Sequence, residues 1–313
     1  MNSNKNIAVL GAGTMGHGIA QLYAISGYQV MLYDINENAV NKGFEQIKAS
    51  LQHFADVNLI EAEHIPSILS NIHLTTSIQE AVTQASIITE AAPEVLDLKY
   101  QLFKNIEEFA SPEAIILSNT SSFAVEVLAK GIQHKNRFLI THFFNPAQIV
   151  PLVEIVANQE TTPETVSYIE HVMRVIGKEP VVLLKDKPGF IANRLQAALA
   201  REALSLLNEG IATAKSIDTA ITAGPGFRWA FIGPLETADF GGLDIWRNVL
   251  NNLAPTLNNT DKAPELIETL VENKQLGVKT GSGIYDYPDN SVAEKIADRD
   301  HKFLLLNKLK KEN

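Results

Sequence analysis

The feature that most constrains the fold of this chain is a glycine-rich turn close to its beginning. Residues 11–16 read Gly-Ala-Gly-Thr-Met-Gly and directly follow the apolar run 7–10. A second apolar run, 29–33, is followed by Asp34, eighteen residues after the last glycine of the turn. A strand, a tight glycine turn, a helix and an acid at this spacing are typical of the first βαβ unit of a doubly wound sheet.

Each glycine of the turn has a separate task. Gly11 permits the tight turn, Gly13 lets the backbone approach a diphosphate, and Gly16 lets the helix pack closely on the strand. The helix then presents its N–H groups and the positive end of its dipole to the diphosphate, with Thr14 and Met15 in the same turn. The alternative is a glycine-rich turn that binds no ligand.

Asp34 indicates which dinucleotide this turn would bind. Its carboxylate would accept hydrogen bonds from an adenosine ribose diol and would repel a 2′-phosphate. Residues 35–38 contain no Arg or Lys that could relieve this repulsion. We therefore expect NAD(H) rather than NADP(H) as the cofactor.

Composition argues against several classes of function. The net charge of −10 disfavours nucleic acid as a partner, because binding phosphates needs a basic face. The chain has no cysteine, which excludes disulfides, thiolate catalysis and cysteine-ligated metals, and we expect no metal cofactor. No stretch approaches the roughly 20 apolar residues of a membrane span. Residues 1–6 lack the layout of a signal peptide, and we expect a cytoplasmic protein that binds no membrane.

The pattern of apolar residues changes near residue 185. With 313 residues, the chain is long enough for two domains. In the first part, short apolar runs alternate with amphipathic stretches, which is typical of a parallel α/β sheet. The second part has helical periodicity only. We predict a Rossmann-like NAD-binding domain over 1–185 and an all-helical domain over 186–313 for substrate binding and dimerisation.

These periodicities predict the individual elements. The predicted strands are 6–10, 29–33, 72–75, 86–90, 114–118, 137–141, 149–156 and 180–184. The predicted helices of the first domain are 14–26, 36–52, 97–109, 122–129 and 163–176. The predicted helices of the second domain are 188–212, 214–223, 234–252, 263–273 and 292–310. Strands 86–90 and 114–118 are apolar on both faces and end in polar residues, where ligands of such a sheet gather.

His142 is the candidate general base among the eight histidines of the chain. Oxidation of a hydroxyl group by NAD needs a side chain that removes the hydroxyl proton, and histidine suits this task at neutral pH. His142 directly follows the predicted strand 137–141, at the edge of the sheet that should carry the cofactor. Of the others, only His17 lies next to the glycine turn, where it could line the cofactor.

Glu154 is the candidate partner of His142. It lies twelve residues further on, inside the apolar segment 149–156. A carboxylate in such a strand is costly to bury unless it is paired. We predict that Glu154 pairs with His142, orients the ring and stabilises its protonated form. The alternative is a residue at the edge of the strand that points to solvent.

Two further polar sites are candidates for ligand contacts. The cluster Ser118–Ser122 follows the fifth predicted strand, and Ser121 or Ser122 could also cap the next helix. Asn193 lies on the first turns of the helix that follows Pro188–Phe190. It either faces the cleft and hydrogen-bonds a substrate oxygen or is merely solvated.

Taken together, these motifs resemble the L-3-hydroxyacyl-CoA dehydrogenase family over residues 5–287. The motifs that stand in family order are 11–16 with Asp34, Ser118–Ser122, His142-Phe143-Phe144-Asn145-Pro146, Glu154, Lys187–Arg194, Gly233-Pro234-Leu235-Glu236 and Gly277–Tyr285. The resemblance implies a reversible oxidation of 3-hydroxyacyl-CoA by NAD, as in the β-oxidation of fatty acids. It also implies a homodimer formed through the helical domain.

The resemblance also implies roles for individual residues. His142 would be the general base and acid, with Glu154 as its partner. Ser121 and Asn193 would contact the reacting 3-oxygen, and Asn145 would support both His142 and the bound substrate. The further cofactor contacts implied by the family are Glu94 and Lys99 on the nicotinamide side, and Asn119 near the nicotinamide.

Two departures from the family leave the substrate open. In the acyl-CoA enzymes the segment after the second strand carries several lysines that meet the CoA phosphates, whereas here residues 43–72 contain only Lys48. Segments 151–154 and 227–234 are closer to the branch that oxidises free 3-hydroxy acids, such as L-gulonate (lambda-crystallin) and carnitine. In that branch Arg228 would pair with a free carboxylate; otherwise it is a surface residue.

We expect a short-chain 3-hydroxyacyl-CoA, such as 3-hydroxybutyryl-CoA, to be the substrate. The first alternative is a dehydrogenase of a free 3-hydroxy acid. The second is a non-catalytic NAD-binding or structural protein, against which the complete set His142, Glu154, Ser121 and Asn193 argues.

Overall fold

The computed structural model describes residues 5–288 and 291–311. Most of the segment 1–6, on which the expectation about a signal peptide depends, therefore lies outside the described residues. By compactness the chain divides into two units, Met1–Ile191 with Asp300–Asn313, and Ala192–Arg299. The predicted division into 1–185 and 186–313 stays a prediction.

In the described part of the chain, the first unit is built on an eight-stranded sheet of order β3-β2-β1-β4-β5-β6-β7-β8. The strands are β1 (Asn6–Leu10), β2 (Gln29–Tyr33), β3 (Ile72–Thr75), β4 (Ile87–Glu90), β5 (Ile115–Ser118), β6 (Phe138–Phe143), β7 (Leu152–Ala157) and β8 (Glu179–Val182). Neighbouring strands run parallel except for the β6–β7 pair. The first six strands have the order of a dinucleotide-binding sheet, which confirms the predicted Rossmann-like fold.

Helices cover both faces of this sheet. They are α1 (Gly16–Ile25), α2 (Glu37–Asp56), α3 (Ile65–Ser70), α4 (Ile78–Val82), α5 (Leu96–Phe109), α6 (Val125–Ala129) and α7 (Pro163–Val175). Alternate residues of β1 explain this arrangement: Ile7 and Val9 pack on the side of α1 and α2, while Ala8 and Leu10 pack on the side of α5. All four side chains are fully buried. The strand is therefore apolar on both faces, as expected for a parallel sheet between two helical layers.

The structure differs from the sequence-based interpretation of these helices in three ways. The short helices α3 and α4 are missing from the sequence-based prediction, because five or six residues are too few to show helical periodicity. Helix α6 begins at Val125 rather than at 122, and no side chain caps it, so Ser121 and Ser122 are not its N-cap. Instead the Thr120 hydroxyl accepts hydrogen bonds from the backbone N–H groups of Ser122 and Phe123, which forms a turn before the helix.

The second unit is helical, as predicted. Its helices are α8 (Ala192–Asn208), α9 (Ala214–Ala223), α10 (Pro225–Trp229), α11 (Pro234–Gly241), α12 (Leu243–Leu253) and α13 (Glu265–Glu272), followed by α14 (Ser291–Lys311). The predicted single helix 234–252 is wrong, since Gly242 takes a φ of +88° and separates α11 from α12. The short helix α10 was not predicted either. None of the described helices is long and apolar enough to cross a membrane.

The second half of α14, from Asp300 onward, belongs to the first unit. Leu304 is 1% exposed and packs against Phe54 and Ile149. The Asn307 side-chain amide donates a hydrogen bond to the carbonyl oxygen of Ile149, at 2.5 Å. These contacts fix the loop between β6 and β7, the two strands that carry His142 and Glu154.

Candidate active site

His142 and Glu154 face each other across the antiparallel pair β6–β7. They occupy the same register position, which places their side chains on one face of the sheet at close range. His142 lies inside β6 and not after it, because the strand continues two residues beyond the predicted end at 141. The ring Nδ1 is 2.9 Å from the Glu154 Oε2, and the two residues are 5% and 1% exposed. Glu154 thus does not point to solvent, the alternative left open by the sequence.

Further contacts fix both members of this pair. The ring of Phe144 lies 4.6 Å from the His142 ring between centroids, and that of Phe190 lies 5.3 Å away. The second carboxylate oxygen of Glu154 accepts a hydrogen bond of 2.8 Å from the Ile191 backbone N–H. The Glu154 carboxylate therefore orients the imidazole through Nδ1, and Nε2 is the nitrogen that can exchange a proton with a substrate.

The turn that carries Phe190 has an uncommon backbone conformation. Gly189 and Phe190 both have positive φ angles, of +78° and +51°. A bulky residue at positive φ costs on the order of 1–3 kcal/mol and needs support from its surroundings. Here the support comes from the Phe190 ring, which is 3% exposed, and from the hydrogen bond of Ile191 to Glu154.

The glycine turn between β1 and α1 shows which of its glycines the fold requires. A Cβ atom on Gly11 would lie 2.6 Å from the Ala91 carbonyl oxygen, and one on Gly16 would lie 1.6 Å from the Gly11 carbonyl oxygen. A Cβ on Gly13 would meet nothing within 4 Å. The space beside Gly13 is therefore open, and the first turn of α1 has no side-chain cap. This open space at a helix N-terminus is where a diphosphate fits.

Asp34 lies at the carboxyl end of β2, next to the glycine turn. Its Oδ2 accepts a hydrogen bond of 2.9 Å from the Ala12 backbone N–H, which holds the carboxylate in place. A cleft beside Asp34 is lined mostly by apolar groups. Its lining includes Leu10, Tyr33, Ile35, Pro93, Leu98 and Leu102. An apolar slot next to a fixed carboxylate suits an adenine base with its ribose diol.

His17 lies in the first turn of α1. Its Nδ1 is 2.7 Å from the Gly13 carbonyl oxygen. Burial lowers the pKa of His17, and the hydrogen bond to Gly13 opposes this only in part. The ring is therefore neutral at pH 7 and brings no charge to the glycine turn.

Glu94 lies in the loop after β4 and joins it to the segment after β5. Its Oε1 accepts hydrogen bonds from the Ser121 backbone N–H at 2.6 Å, from the Ser121 hydroxyl at 3.1 Å and from the Thr120 hydroxyl at 2.9 Å. Its Oε2 lies 3.3 Å from the Lys99 ammonium. Partial burial raises the pKa of Glu94, but the Ser121 N–H, the Lys99 charge and the two hydroxyls outweigh it and lower the pKa overall. Glu94 is therefore ionised at neutral pH.

Behind Glu94 lies a buried ion pair that includes an acid missed by the sequence analysis. The Lys99 Nζ is 2.7 Å from the Glu90 Oε1, and the two side chains are 1% and 0% exposed. Glu90 also accepts hydrogen bonds from the Ala92 backbone N–H at 2.7 Å and from the Ser118 hydroxyl at 2.5 Å. One signal could have indicated this pair: Lys99 lies on the buried face of α5, where an ammonium needs a buried acid.

The remaining predicted residues lie in different parts of the chain. The side-chain oxygen of Asn119 accepts a hydrogen bond of 2.8 Å from the Phe143 N–H and so ties the end of β5 to β6 beside His142. Asn145 is exposed in the loop after β6. Asn193, half-buried in the first turn of α8, and Arg228, exposed in α10, belong to the second unit. Their contacts with a substrate stay predictions.

Two family models together match almost the whole described chain. The model of the 3-hydroxyacyl-CoA dehydrogenase NAD-binding domain matches residues 6–187, and that of the 3-hydroxyacyl-CoA dehydrogenase C-terminal domain matches residues 189–287. The chain belongs to the 3-hydroxyacyl-CoA dehydrogenase family. This confirms the resemblance inferred from the motifs.

Members of this family similar to the chain differ in what their names say they act on. A probable 3-hydroxyacyl-CoA dehydrogenase of Caenorhabditis elegans is 36% identical over 92% of this chain and 97% of that protein. An L-carnitine dehydrogenase of Oceanobacillus iheyensis is 34% identical over 96% of both chains. The chain also matches the crystal structure of an NAD-dependent 5-formyl-3-hydroxy-2-methylpyridine 4-carboxylic acid 5-dehydrogenase. The TM-score is 0.90 and the identity 31%, over 97% of this chain and 98% of that chain. An enzyme of the same name from Mesorhizobium japonicum is 31% identical over 97% of this chain and 98% of that protein.

The cofactor of this 3-hydroxyacyl-CoA dehydrogenase family member is NAD, as predicted. The chain's own residues fit this cofactor, since the open space at Gly13 and the fixed Asp34 carboxylate lie at the same edge of the sheet. The chain is thus an NAD-dependent oxidoreductase. Within residues 5–288 and 291–311, no group of three or more His, Cys, Asp or Glu side chains is placed to hold a metal ion.

Proposed function

We propose that this protein oxidises a short-chain L-3-hydroxyacyl-CoA to the 3-oxoacyl-CoA with NAD, and catalyses the reverse reduction. The observation that carries this proposal is the buried His142–Glu154 pair. β6 runs parallel to β5, β5 to β4 and β4 to β1, so His142 near the end of β6 lies at the same sheet edge as the glycine turn after β1. When bound, NAD supplies the hydride acceptor at this edge.

His142 moves the proton in this proposal. Its Nδ1 is bound to Glu154, so Nε2 takes the proton of the substrate hydroxyl during oxidation and returns it during reduction. The Glu154 carboxylate stabilises the imidazolium that forms, without itself taking the proton. Burial of the pair strengthens this interaction, because little water screens it.

Other residues hold the reactants. Ser121 and Asn193 contact the 3-oxygen, and Asn145 supports the substrate beside His142. Asn119 fixes the backbone of β6 next to His142 and lies near the nicotinamide, while Glu94 binds on the nicotinamide side. The exposure of Ser121 and the hydrogen bond of Asn119 to Phe143 support these assignments.

Oxidation of a free 3-hydroxy acid is a second candidate function, and the charges in residues 43–72 favour it. Lys48 is the only lysine or arginine in residues 43–72, and its ammonium is 2.6 Å from the Glu45 carboxylate. The phosphates of CoA would therefore find little positive charge in this segment. Arg228, exposed in α10, would bind the substrate carboxylate in this reaction. The similarity to an L-carnitine dehydrogenase over almost the whole chain supports the same reading.

One experiment separates the two functions. NADH oxidation is followed with acetoacetyl-CoA and, in parallel, with acetoacetate and other free 3-oxo acids. The acyl-CoA proposal expects a kcat/KM for acetoacetyl-CoA at least about 10²-fold above that of any free acid, since uniform binding of the CoA part raises kcat/KM. The reverse order, together with a KM for the free acid that rises in the Arg228→Ala variant, assigns the second function. No turnover of either class would contradict both.

The proposed function extends to an oligomeric state, a cellular compartment and a metabolic role. We propose a homodimer formed through the second unit, supported by large apolar side chains that are exposed there. Among them are Phe227 (70% exposed), Leu235 (84%) and Phe240 (74%). Exposed apolar area of this kind marks interaction surfaces. A cytoplasmic location and a role in the β-oxidation of fatty acids complete the proposal, and size-exclusion chromatography with light scattering tests the dimer.

A further inference from the structure

The β6–β7 loop, residues 144–151, begins directly after β6 and contains one helical turn. The Pro146 carbonyl oxygen accepts hydrogen bonds from the Ile149 N–H at 3.0 Å and from the Val150 N–H at 2.9 Å. A turn of this kind leaves its later carbonyl oxygens without partners inside the turn. Ala147 and Ile149 are 0% and 4% exposed, so water does not reach this part of the loop. The carbonyl oxygens of the turn therefore need partners from elsewhere in the protein.

A buried lysine binds carbonyl oxygens of this turn. The Lys178 ammonium donates hydrogen bonds to the carbonyl oxygens of Ala147 and Val150, the second at 2.7 Å, and the residue is 5% exposed. Carbonyl oxygens at the end of a helical turn carry partial negative charge, which favours a cation at this position. Asn307 binds the carbonyl oxygen of Ile149, which lies between them in the turn. The turn is thus held from outside the loop by two side chains, of which Lys178 is the buried one.

The position of Lys178 is fixed by the backbone on either side of it. Helix α7 ends in a Schellman motif, in which the Lys178 N–H donates a hydrogen bond of 2.9 Å to the Met173 carbonyl oxygen and Gly177 takes a φ of +81°. The next N–H, that of Glu179, donates a hydrogen bond of 2.8 Å to the Pro151 carbonyl oxygen at the start of β8. Lys178 therefore reaches the β6–β7 loop from a fixed point between a helix and a strand.

Lys178 and the His142 ring lie on opposite faces of the sheet. The Lys178 ammonium lies 5.9 Å from the centroid of the Phe143 ring. Successive side chains of a strand point to opposite faces, so the His142 side chain points away from this ammonium. The β6–β7 loop connects the two, because Phe144 is its first residue and the Phe144 ring lies 4.6 Å from the His142 ring between centroids. A displaced loop would therefore change the packing against His142.

We propose that Lys178 is a positioning residue for proton transfer by His142. By binding the carbonyl oxygens of Ala147 and Val150, it fixes the β6–β7 loop and so holds Phe144 against the imidazole. The inference rests on the proposed function in taking His142 as the base. It gives a residue on the far face of the sheet a role in the rate of the reaction.

Lys178→Met tests this role, because methionine has a similar length and flexibility but donates no hydrogen bond. The proteins compared are the wild type, Lys178→Met, His142→Gln and the variant that combines both changes. The matched control is Lys104→Met, at an exposed position of α5. Fluorescence titration with NADH gives the Kd and the number of binding sites, and thermal unfolding gives the melting temperature. The kcat per NADH-binding site is measured with whichever of acetoacetyl-CoA and acetoacetate the wild type reduces, which removes the contribution of unfolded protein.

The expected result is a loss of rate without a loss of cofactor affinity. Lys178→Met should lower kcat per site about 10- to 100-fold, since a small misplacement of groups at the reacting centre has an effect of this size. The Kd of NADH should stay within about twofold of the wild type, because binding does not require the proton transfer. In the His142→Gln background the same change should lower kcat less than about threefold, because residues that act through one group are not additive. Lys104→Met should match the wild type.

Two results would overturn the inference. An unchanged kcat per site in Lys178→Met, even with a lower melting temperature, would mean that Lys178 serves the fold only. An effect of the same size in the wild-type and His142→Gln backgrounds would mean that Lys178 does not act through His142. If Lys178→Met does not fold, Asn307→Leu decides, since it removes the hydrogen bond to Ile149 in the same turn. A kcat per site at least about threefold lower in Asn307→Leu would support the inference, and an unchanged kcat would overturn it.

Failure of the proposed function has a different signature. If His142→Gln keeps the turnover of the wild type, the proposed base is wrong and the inference is wrong with it. If His142→Gln loses turnover while Lys178→Met keeps it, only the inference is wrong.

Discussion

Two buried acid–base pairs of the first unit, His142–Glu154 and Lys99–Glu90, are alike in distance and burial but differ in the atoms that they leave available. Their partner atoms are 2.9 and 2.7 Å apart, and all four residues are at most 5% exposed. Glu154 engages Nδ1 of His142 and leaves Nε2 without a partner from this pair, whereas the Lys99 ammonium donates to the Glu90 carboxylate and the Ala92 carbonyl oxygen and lies 3.3 Å from the Glu94 carboxylate. The comparison teaches that burial and charge do not by themselves identify a reactive residue. The decisive property is a polar atom that the fold has not already used.

We expect the largest effect from a substitution that breaks the His142–Glu154 pair. His142→Gln should lower kcat by ~10²–10⁴-fold, the usual contribution of a general base, because glutamine cannot take the hydroxyl proton. The Kd of NADH should stay within about twofold of the wild type, since binding does not require the proton transfer. Steady-state kinetics and an NADH titration measure the two quantities.

The matched control for this variant is His134→Gln. His134 also lies 3.1 Å from a glutamate, Glu107, but its side chain is 48% exposed. Its replacement should leave kcat unchanged. Near-wild-type turnover of the His142 variant would contradict the assignment of the base.

Breaking the Lys99–Glu90 pair should lower the free energy of unfolding. Glu90→Gln leaves the Lys99 charge buried without its main partner, which costs about 3–5 kcal/mol of unfolding free energy. Urea unfolding measures this loss. Glu45→Gln, which breaks the exposed Lys48–Glu45 pair, is the control and should cost less than about 1 kcal/mol. Equal losses of unfolding free energy for the two variants would mean that burial does not increase the contribution of the Lys99–Glu90 pair to stability.

Asp34 extends the comparison to a carboxylate that accepts hydrogen bonds from the backbone N–H groups of Ala12 and Asn36 and, within the described part of the chain, forms no ion pair. Asp34→Ala removes both the proposed ribose acceptor and the charge that would repel a 2′-phosphate. The preference for NAD over NADP, measured as the ratio of kcat/KM values, should narrow about tenfold. Asp56→Ala, at the exposed end of α2, should leave the ratio unchanged. An unchanged ratio for Asp34→Ala would show that another residue selects the cofactor.

The smallest effect concerns the pH dependence of stability at Glu94. Its pKa in the folded protein is lowered from 4.5, so its ionised form stabilises the fold above pH 4.5, and this stabilisation is lost as the pH falls through the lowered value. Glu94→Gln should therefore be less stable than the wild type at pH 7, by less than about 1 kcal/mol for a partly exposed group. Thermal unfolding between pH 7 and 3 should show the difference shrinking below pH 4.5. A difference that is constant over this range would contradict the assigned cause.

Much of the fold follows from local pattern. The eight strands were predicted within three residues of their ends. The central strands, such as β1 and β4, are short apolar runs that are buried on both faces, whereas the edge strands β3 and β8 are partly exposed. The break at Gly242 was not predicted, because the apolar spacing continues through it and only the positive φ ends α11. The short helices α3, α4 and α10 carry too few residues for their periodicity to be recognised.

Residues of the candidate site could be predicted where the sequence of a single strand or helix marks them as unusual. Glu154 was found because a carboxylate interrupts an apolar strand, and the register of β6 with β7 then brings it to His142. Glu90 was missed because it is the last residue of β4, where a polar side chain is ordinary. Its importance depends on Lys99, which comes from a different element, and no local pattern links the two.

The hydrogen bond between Ile191 and Glu154 has a practical consequence for anyone dividing or rebuilding this enzyme. The last residues before α8 hold the Glu154 carboxylate that pairs with His142, so under the proposed mechanism this connector contributes to the chemistry. A separately expressed cofactor unit must keep Phe190 and Ile191 to retain the geometry of the His142–Glu154 pair. Insertions or fusions are better placed after the first turn of α8 than at Gly189, where a displaced Ile191 amide would remove one hydrogen bond from the carboxylate.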